Sequence, residues 1–393
     1  MKIVLFSESP IIFHNGNYYS KDTWVNFPLY FSKYCDLLTV ICTTKRASEV
    51  DLSEFSKIDV RKANIVPLSD YSSFIEYYKK IFFYRYKWKR EIEDELIKHD
   101  IVWVRTPSPI SKLIFKSKKI KSKKIVCFLA GDLKKQSDTL LESRGIKKIL
   151  YKYFINNHIK HEKKIYQKVD LLYYYSMDLF RRFDDVKTKK IPFRTPIITN
   201  SDIYSNIKKL DKKNIKIIRV CWLLPSKGLE HLIDSIKLLR NKKYNVKLSI
   251  IGSERDVSYK NELINYIDKA DLIDNVELLG WKSSKEISEY FKKYDIHVLS
   301  SLSEGTPRVI LESLSKSIPL VTTRVGGIPT MLKDNHDCLM VDPGSSSQIA
   351  KAVERIINDE ELRVSIIKNG IINSKKWTLE SKSRDIFEDM KAL

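Results

Sequence analysis

The chain has 393 residues, 43% of them hydrophobic, with 71 Lys and Arg against 49 Asp and Glu. That length can bury two cores and is long for one, while a formal net charge of +22 points to polyanionic partners (nucleic acid, an anionic membrane face or phosphorylated small molecules) without choosing among them. Five scattered cysteines without a C-x-x-C pair read as reduced thiols of a cytosolic protein, and no run of about 18 uncharged apolar residues is present to span a membrane.

In chain order, KIVLFS (2–7) reads as a first buried strand; its apolar run is too short for a signal peptide and ends in polar residues. LLTVIC (37–42), IVWVR (101–105), KIVCFL (124–129) and DLLYYY (170–175) follow, separated by longer polar stretches with helical spacing. Residues 191–214 hold two prolines, turn formers and a Lys-rich patch without apolar periodicity, so a linker is expected there, with its boundary near 196–214. Six further runs then recur: IKIIRVCW (215–222), VKLSIIG (246–252), NVELLG (275–280), DIHVLS (295–300), IPLVTT (318–323) and CLMVDP (338–343).

Strands apolar on both faces with helices between them predict parallel sheets covered on each side. The fold class expected is therefore α/β, two Rossmann-like doubly wound parallel-sheet domains facing across a cleft. They are expected over 1–200 and 201–374, followed by a helical segment over 375–393. Such sheets bind ligands beyond the carboxyl ends of their strands.

At those ends in the second half stand CWLLPSKG (221–228), GSE (252–254), GWKSS (280–284), SSLSEGTPR (300–308) and TRVGGIP (323–329), a gathering of Gly, Ser and Lys suited to phosphate. Pro307 suits a first helical position, which puts Glu304 in the loop before the helix and Glu312 over a turn inside it. The two carboxylates can then hold hydroxyls of one elongated ligand whose phosphates rest on the amides of Thr306, Arg308 and Val309. Taken singly, Glu304 also reads as a helix-dipole partner, Glu312 as a solvated helix residue and Lys227-Gly228 as a turn; their coincidence on one sheet edge favours the site.

SEGTPRVILESLSKSIPLVTTRVGGIP (303–329) closely resembles the donor-binding signature of glycosyltransferase family four, retaining nucleotide-sugar-dependent enzymes of the GT-B fold. The signature is a Glu, seven intervening residues and a second Glu, then an apolar strand and Val-Gly-Gly-Ile-Pro, and the likeness extends over essentially the whole C-terminal half. The resemblance implies that Glu304 contacts the donor sugar and stabilises positive charge at its anomeric carbon, and that Glu312 holds the ribose. Lys227, with the amides beside Thr306 and Arg308, would neutralise the diphosphate, and the base would lie near Gly252 and Gly280-Trp281. Charge growing on a leaving group is what a preorganised ammonium stabilises.

One position departs from that pattern. Relatives carry Gly-Arg ahead of the Lys-Gly turn, where this chain has Cys221-Trp222. Arg308, Arg324, Arg105 or another cation of the first domain is then the candidate substitute, the alternative being low activity, and Trp222 reads either as part of the donor site or as packing at a strand end.

In the first half, Gly16 is expected in a loop closing over the donor phosphates. Asp132, after KIVCFL, is either an acceptor-hydroxyl orienter or base, or a helix N-cap. No Asp-x-Asp and no defensible His spacing is present, so no metal and no further cofactor is expected beside the nucleotide-sugar co-substrate. In the C-terminal segment, Trp377, Leu379, Ile386, Phe387 and Met390 recur at helical spacing and are expected to pack, and the resemblance implies that this helix crosses back to the first domain.

EYYKKIFFYRYKWKREIEDE (76–95) interleaves aromatics with Lys and Arg, and SKLIFKSKKIKSKKIV (111–126) adds a second basic cluster. Such a helix either lies on an anionic leaflet or packs its aromatics inward and solvates its lysines. Nucleic acid is the rival partner, but no zinc, recognition-helix or RNP pattern supports it. The expectation is a cytoplasmic hexosyltransferase-type enzyme, peripheral at the inner face of the plasma membrane. It would move sugar to a glycan or lipid-linked glycan in surface polysaccharide or glycoconjugate biosynthesis. The alternative is a catalytically weak binding protein of the same fold.

Overall fold

The computed structural model describes all residues except 21–26, 28, 47–51, 53–54, 70–73, 109, 132–145, 176, 194–195 and 255, and no side chains at 8–10, 46, 56, 74–79, 81–82, 146–154 and 177–178. It divides into two units, Met1–Pro196 with Lys382–Leu393, and Ile197–Ser381.

The first unit carries β1 (Lys2–His14), β2 (Asn17–Ser20), β3 (Leu37–Arg46), β4 (Ser56–Lys57), β5 (Asn64–Ser69), α1 (Phe74–Lys98), β6 (Ile101–Thr106), α2 (Ser111–Lys116), β7 (Lys124–Leu129), α3 (Ile146–Tyr166), β8 (Leu171–Tyr174), α4 (Met177–Arg182) and β9 (Lys189–Pro192). Its parallel strands run β5-β3-β1-β6-β7-β8-β9, so the winding reverses between β1 and β6. Val4, Phe6, Val102, Val104 and Cys127 form one core with Trp88, Ile92 and Leu96, which recur along α1 at the spacing of one helical face. β1 runs on to His14 rather than ending at residue 7, because Asn15 and Gly16 both take positive φ and turn it into a hairpin with β2.

The second unit carries β10 (Ile215–Val220), α5 (Leu229–Asn241), β11 (Val246–Ile251), α6 (Val257–Lys269), β12 (Val276–Gly280), α7 (Ser284–Lys293), β13 (Ile296–Leu299), α8 (Val309–Leu314), β14 (Leu320–Thr323), β15 (Leu339–Val341), α9 (Ser346–Asn358), α10 (Glu360–Lys375) and the start of α11 (Leu379–Lys391). All pairings are parallel, in the order β12-β11-β10-β13-β14-β15. Ile215 and Ile217 bury against Leu232, Ile233 and Ile236 of α5, while Ile218 faces Phe291 and Ile318 on the other side. Each such side chain contributes about 1.5–3 kcal/mol when fully buried. Helix starts are capped locally: Asp256 accepts from the Ser258 amide, and Ser283 and Glu286 form a reciprocal capping box on α7.

Residues of the expected linker are tied to this second unit. Ile198 bridges to Thr378, and Lys208 Nζ stands 2.7 Å from Asp295 Oδ1. At the far end of α11, Ile386 and Met390 are buried and Phe387 stacks on Tyr34, all within the first unit.

Candidate functional site

The winding of the second sheet reverses between β10 and β13, and the loops beyond those two carboxyl ends frame the crevice where doubly wound sheets hold ligands. Beyond β10 the chain tightens into a short turn at Pro225–Lys227 and passes through Gly228 into α5. Beyond β13 it runs from Ser300 to α8. The two loops are stitched together: the Leu302 amide donates to the Ser226 carbonyl and the Ser300 hydroxyl to the Lys227 carbonyl, each at 2.9 Å.

That stitching brings two of the expected residues into contact. Lys227 Nζ lies 2.7 Å from Glu304 Oε1, with the side chains 16% and 12% exposed, enough for a ligand to reach them and little enough to strengthen the pairing. The Ser301 hydroxyl donates to the same carboxylate oxygen at 2.7 Å and accepts from Arg219 Nη2 at 2.6 Å. Arg219 is fully buried in β10 and was no candidate in the sequence. Its signal there was a charged side chain in step with the apolar Ile215 and Ile217, on the face opposite the exposed Lys216.

Adjacent turns lock these loops from behind. A Cβ on Gly252 would stand 1.7 Å from the Cys221 carbonyl oxygen, and one on Gly326 would stand 1.8 Å from that of Glu304. The Gly327 amide donates to the Gly305 carbonyl at 2.7 Å, and the Gly252 amide to that of Gly280 at 2.9 Å.

α8 begins at Val309 with Arg308 as its N-cap, so Pro307 stands in the lead-in turn rather than as the first helical residue. Ring closure in that turn, from the Ile310 amide to the Pro307 carbonyl at 3.3 Å, starts the winding early. The amides of Thr306, Arg308 and Val309 meet no acceptor among the described residues. Glu312 lies in the first turn of α8, partly buried, and its carboxyl is pushed above the usual range by desolvation, with Arg308 opposing the shift.

Trp222 and Trp281 are 45% and 63% exposed at the ends of β10 and β12, so neither is core packing. Of the substitute cations, Arg324 is held by Asp334 at 3.0 Å, Arg308 is exposed with no ion pair among the described residues, and Arg105 lies partly buried in β6 of the first unit. Gly16 occupies the β1–β2 hairpin turn, and Asp132 lies outside the described residues. Among the described residues no three His, Cys, Asp or Glu side chains gather as a metal site.

On the first unit, Trp88 of α1 turns into the core, but Phe83 and Tyr86 are 79% and 74% exposed, with the Arg85 guanidinium 4.9 Å from the Tyr86 ring centroid. A groove between α2 and α3 is lined by Lys112, Lys116, Asn157, Lys160, His161 and Lys164, without a carboxylate. Burial, and after it the neighbouring Lys112, holds His161 below its ordinary range. No helix among the described residues is long and apolar enough to cross a membrane.

Residues 200–372 match the family model of glycosyl transferases group 1. An uncharacterized glycosyltransferase of Methanocaldococcus jannaschii is 32% identical over 170 residues, covering 42% of this chain and 46% of its own. The capsular polysaccharide biosynthesis glycosyltransferase CapM of Staphylococcus aureus is 29% identical over 206 residues, 52% of each chain. The chain thus spans about half the length of these curated relatives. The crystal structure of Anabaena Alr3699/HepE in complex with UDP is similar over 100% of both chains, with a TM-score of 0.68 at 16% identity, a likeness of fold: two Rossmann-like domains of the GT-B type.

Proposed function

We propose that this chain, whose residues 200–372 match the family model of glycosyl transferases group 1, moves a sugar, with retention of anomeric configuration, from a nucleoside-diphosphate sugar to a glycan or lipid-linked glycan. The observation that carries this reading is the convergence of Lys227 and Glu304 at 2.7 Å across the reversal point of the second sheet, beside amides that have no acceptor. The diphosphate replaces Glu304 as the partner of Lys227 and takes the amides of Thr306, Arg308 and Val309, so the departing charge is met by an ammonium and N–H dipoles without a metal ion. Glu304, released from Lys227 but still held by Ser301, then faces the anomeric carbon as positive charge develops there. Glu312 holds the ribose, and Asp132 orients the acceptor hydroxyl. A surface polysaccharide is the product class in view, in keeping with the name of the capsular relative.

UDP is the first donor nucleotide to test, since a neighbour of the same fold was solved with it. At 100 times its dissociation constant UDP should raise unfolding stability by about 2.7 kcal/mol; failure of every common nucleoside diphosphate to do so would defeat the donor assignment. The effect should grow with pH. Because the folded-state pKa of Glu312 is raised, the group adds stability to the free protein that is present below its unfolded pKa and lost as pH rises through the folded value. The ribose bond needs the ionised form, so UDP stabilises more at pH 7 than at pH 5. Glu312→Gln should flatten that dependence.

The exposed aromatic and basic face of α1, together with the lysine-lined groove, supports docking on an anionic membrane, inner leaflet of the plasma membrane included. Each basic residue near such a surface contributes about 1 kcal/mol. Arg85 and Arg90 are both exposed on α1, so Arg85→Gln with Arg90→Gln should lower cosedimentation with phosphatidylserine vesicles roughly 30-fold at low salt. Equal binding of the wild-type protein to neutral and anionic vesicles would refute the docking.

A further inference from the structure

We propose that Arg219 is a positioning residue of the transfer site, which fixes Glu304 through Ser301 from inside the sheet. The chain of contacts is short and entirely within one unit: Arg219 Nη2 to Ser301 Oγ at 2.6 Å, and Ser301 Oγ to Glu304 Oε1 at 2.7 Å. Ser301 is itself fully buried, and its carbonyl accepts from the Thr323 hydroxyl at 2.6 Å, so the relay is anchored to β14 as well.

Charge explains why an arginine is kept there. Arg219 stands in β10 between Ile217 and Cys221 on the face that packs into the main core. Its Nε and Nη1 have no partner, and no carboxylate makes an ion pair with it among the described residues. A buried cation in that setting is weak as a stabilising device, and an apolar side chain of similar volume is commonly neutral or stabilising in its place. The acid it reaches is Glu304, through one hydroxyl. Since the guanidinium orients Ser301 as a donor toward Glu304, the carboxylate has a second tether that persists when the donor diphosphate draws Lys227 away. Trp222 brings no charge to the turn, which leaves Lys227 and Arg219 as the two cations that address Glu304 from β10 and its loop.

The activity arm of this inference rests on the transferase reading; the structural arm does not. Arg219→Met should unfold at the same temperature as the wild type or higher, keep its UDP-induced shift, and lose about 10- to 100-fold in kcat with little change in donor KM, as expected when a reacting group is displaced by an ångström or so. Ser301→Ala breaks the relay at its other end and should lose a similar factor, with the double variant no worse than the poorer single one. Crystals of Arg219→Met should show Glu304 away from its wild-type position. Wild-type kcat with Glu304 unmoved would overturn the proposal, as would a loss of activity matched by a loss of stability. If the wild type neither binds nucleotide nor transfers sugar, the transferase reading fails, while the position of Glu304 in the two crystals still decides the role of Arg219.

Discussion

Glu304→Gln should lower turnover roughly 100- to 1,000-fold while leaving nucleoside diphosphate binding intact or tighter, the scale seen when one preorganised electrostatic group is removed from a transition state. The amide is isosteric and its carbonyl oxygen can still accept from Lys227 and Ser301, so the loop from Ser300 to Arg308 has no reason to move. What disappears is the negative charge. In the free protein that charge competes with the ligand for Lys227, held at 2.7 Å, and its removal frees the ammonium for the diphosphate. At the anomeric carbon the same removal is costly, because positive charge accumulates there only as the bond to the leaving group stretches. The variant therefore separates binding from chemistry: calorimetry with UDP reads the first and initial rates the second. Unchanged turnover in a variant that still binds UDP would take Glu304 out of the reaction.

The reversal point of the second sheet was largely legible because its residues carry two signals at once. β10, β11, β12 and β13 are apolar runs within a residue or two of their expected bounds, and Lys227, Glu304 and Glu312 fall where such strands put ligands. Arg219 escaped because its role depends on a hydroxyl 82 positions away, and nothing local distinguishes a relay from a misplaced charge. β5 and β9 escaped for a different reason. Both are short, half-exposed flanks of the first sheet, and each contains a proline, Pro67 or Pro192, which reads as a break where the flanking position tolerates it. β2 exists only because Asn15-Gly16 reverses β1, a turn whose two residues looked like the loop of a phosphate site. In α1 the sequence left open an anionic leaflet or inward-packed aromatics: Trp88, Ile92 and Leu96 pack inward, while Phe83 and Tyr86 stay exposed.

Gly326→Ala should destabilise the second unit by about 3 kcal/mol or more and should disable the site with it. Two effects combine. The residue sits at φ +56, a left-handed conformation that adds about 1–2 kcal/mol of strain for an L side chain. Its new Cβ would also lie 1.8 Å from the carbonyl oxygen of Glu304, 2.8 Å from the carbon of that carbonyl and 3.0 Å from the Gly305 oxygen. These are backbone atoms, which no rotamer change can move aside, so relief requires the 304–305 segment to shift and to give up the bond from the Gly327 amide to Gly305. Gly280→Ala supplies the control: φ is +68, nearly the same strain, but its Cβ meets nothing within 4 Å. Urea unfolding of the pair should thus show a loss of about 1–2 kcal/mol at Gly280 and clearly more at Gly326. Equal losses at the two positions would mean that the turn after β14 does not press on Glu304 in solution, and that the carboxylate is placed by Ser301 and Lys227 alone.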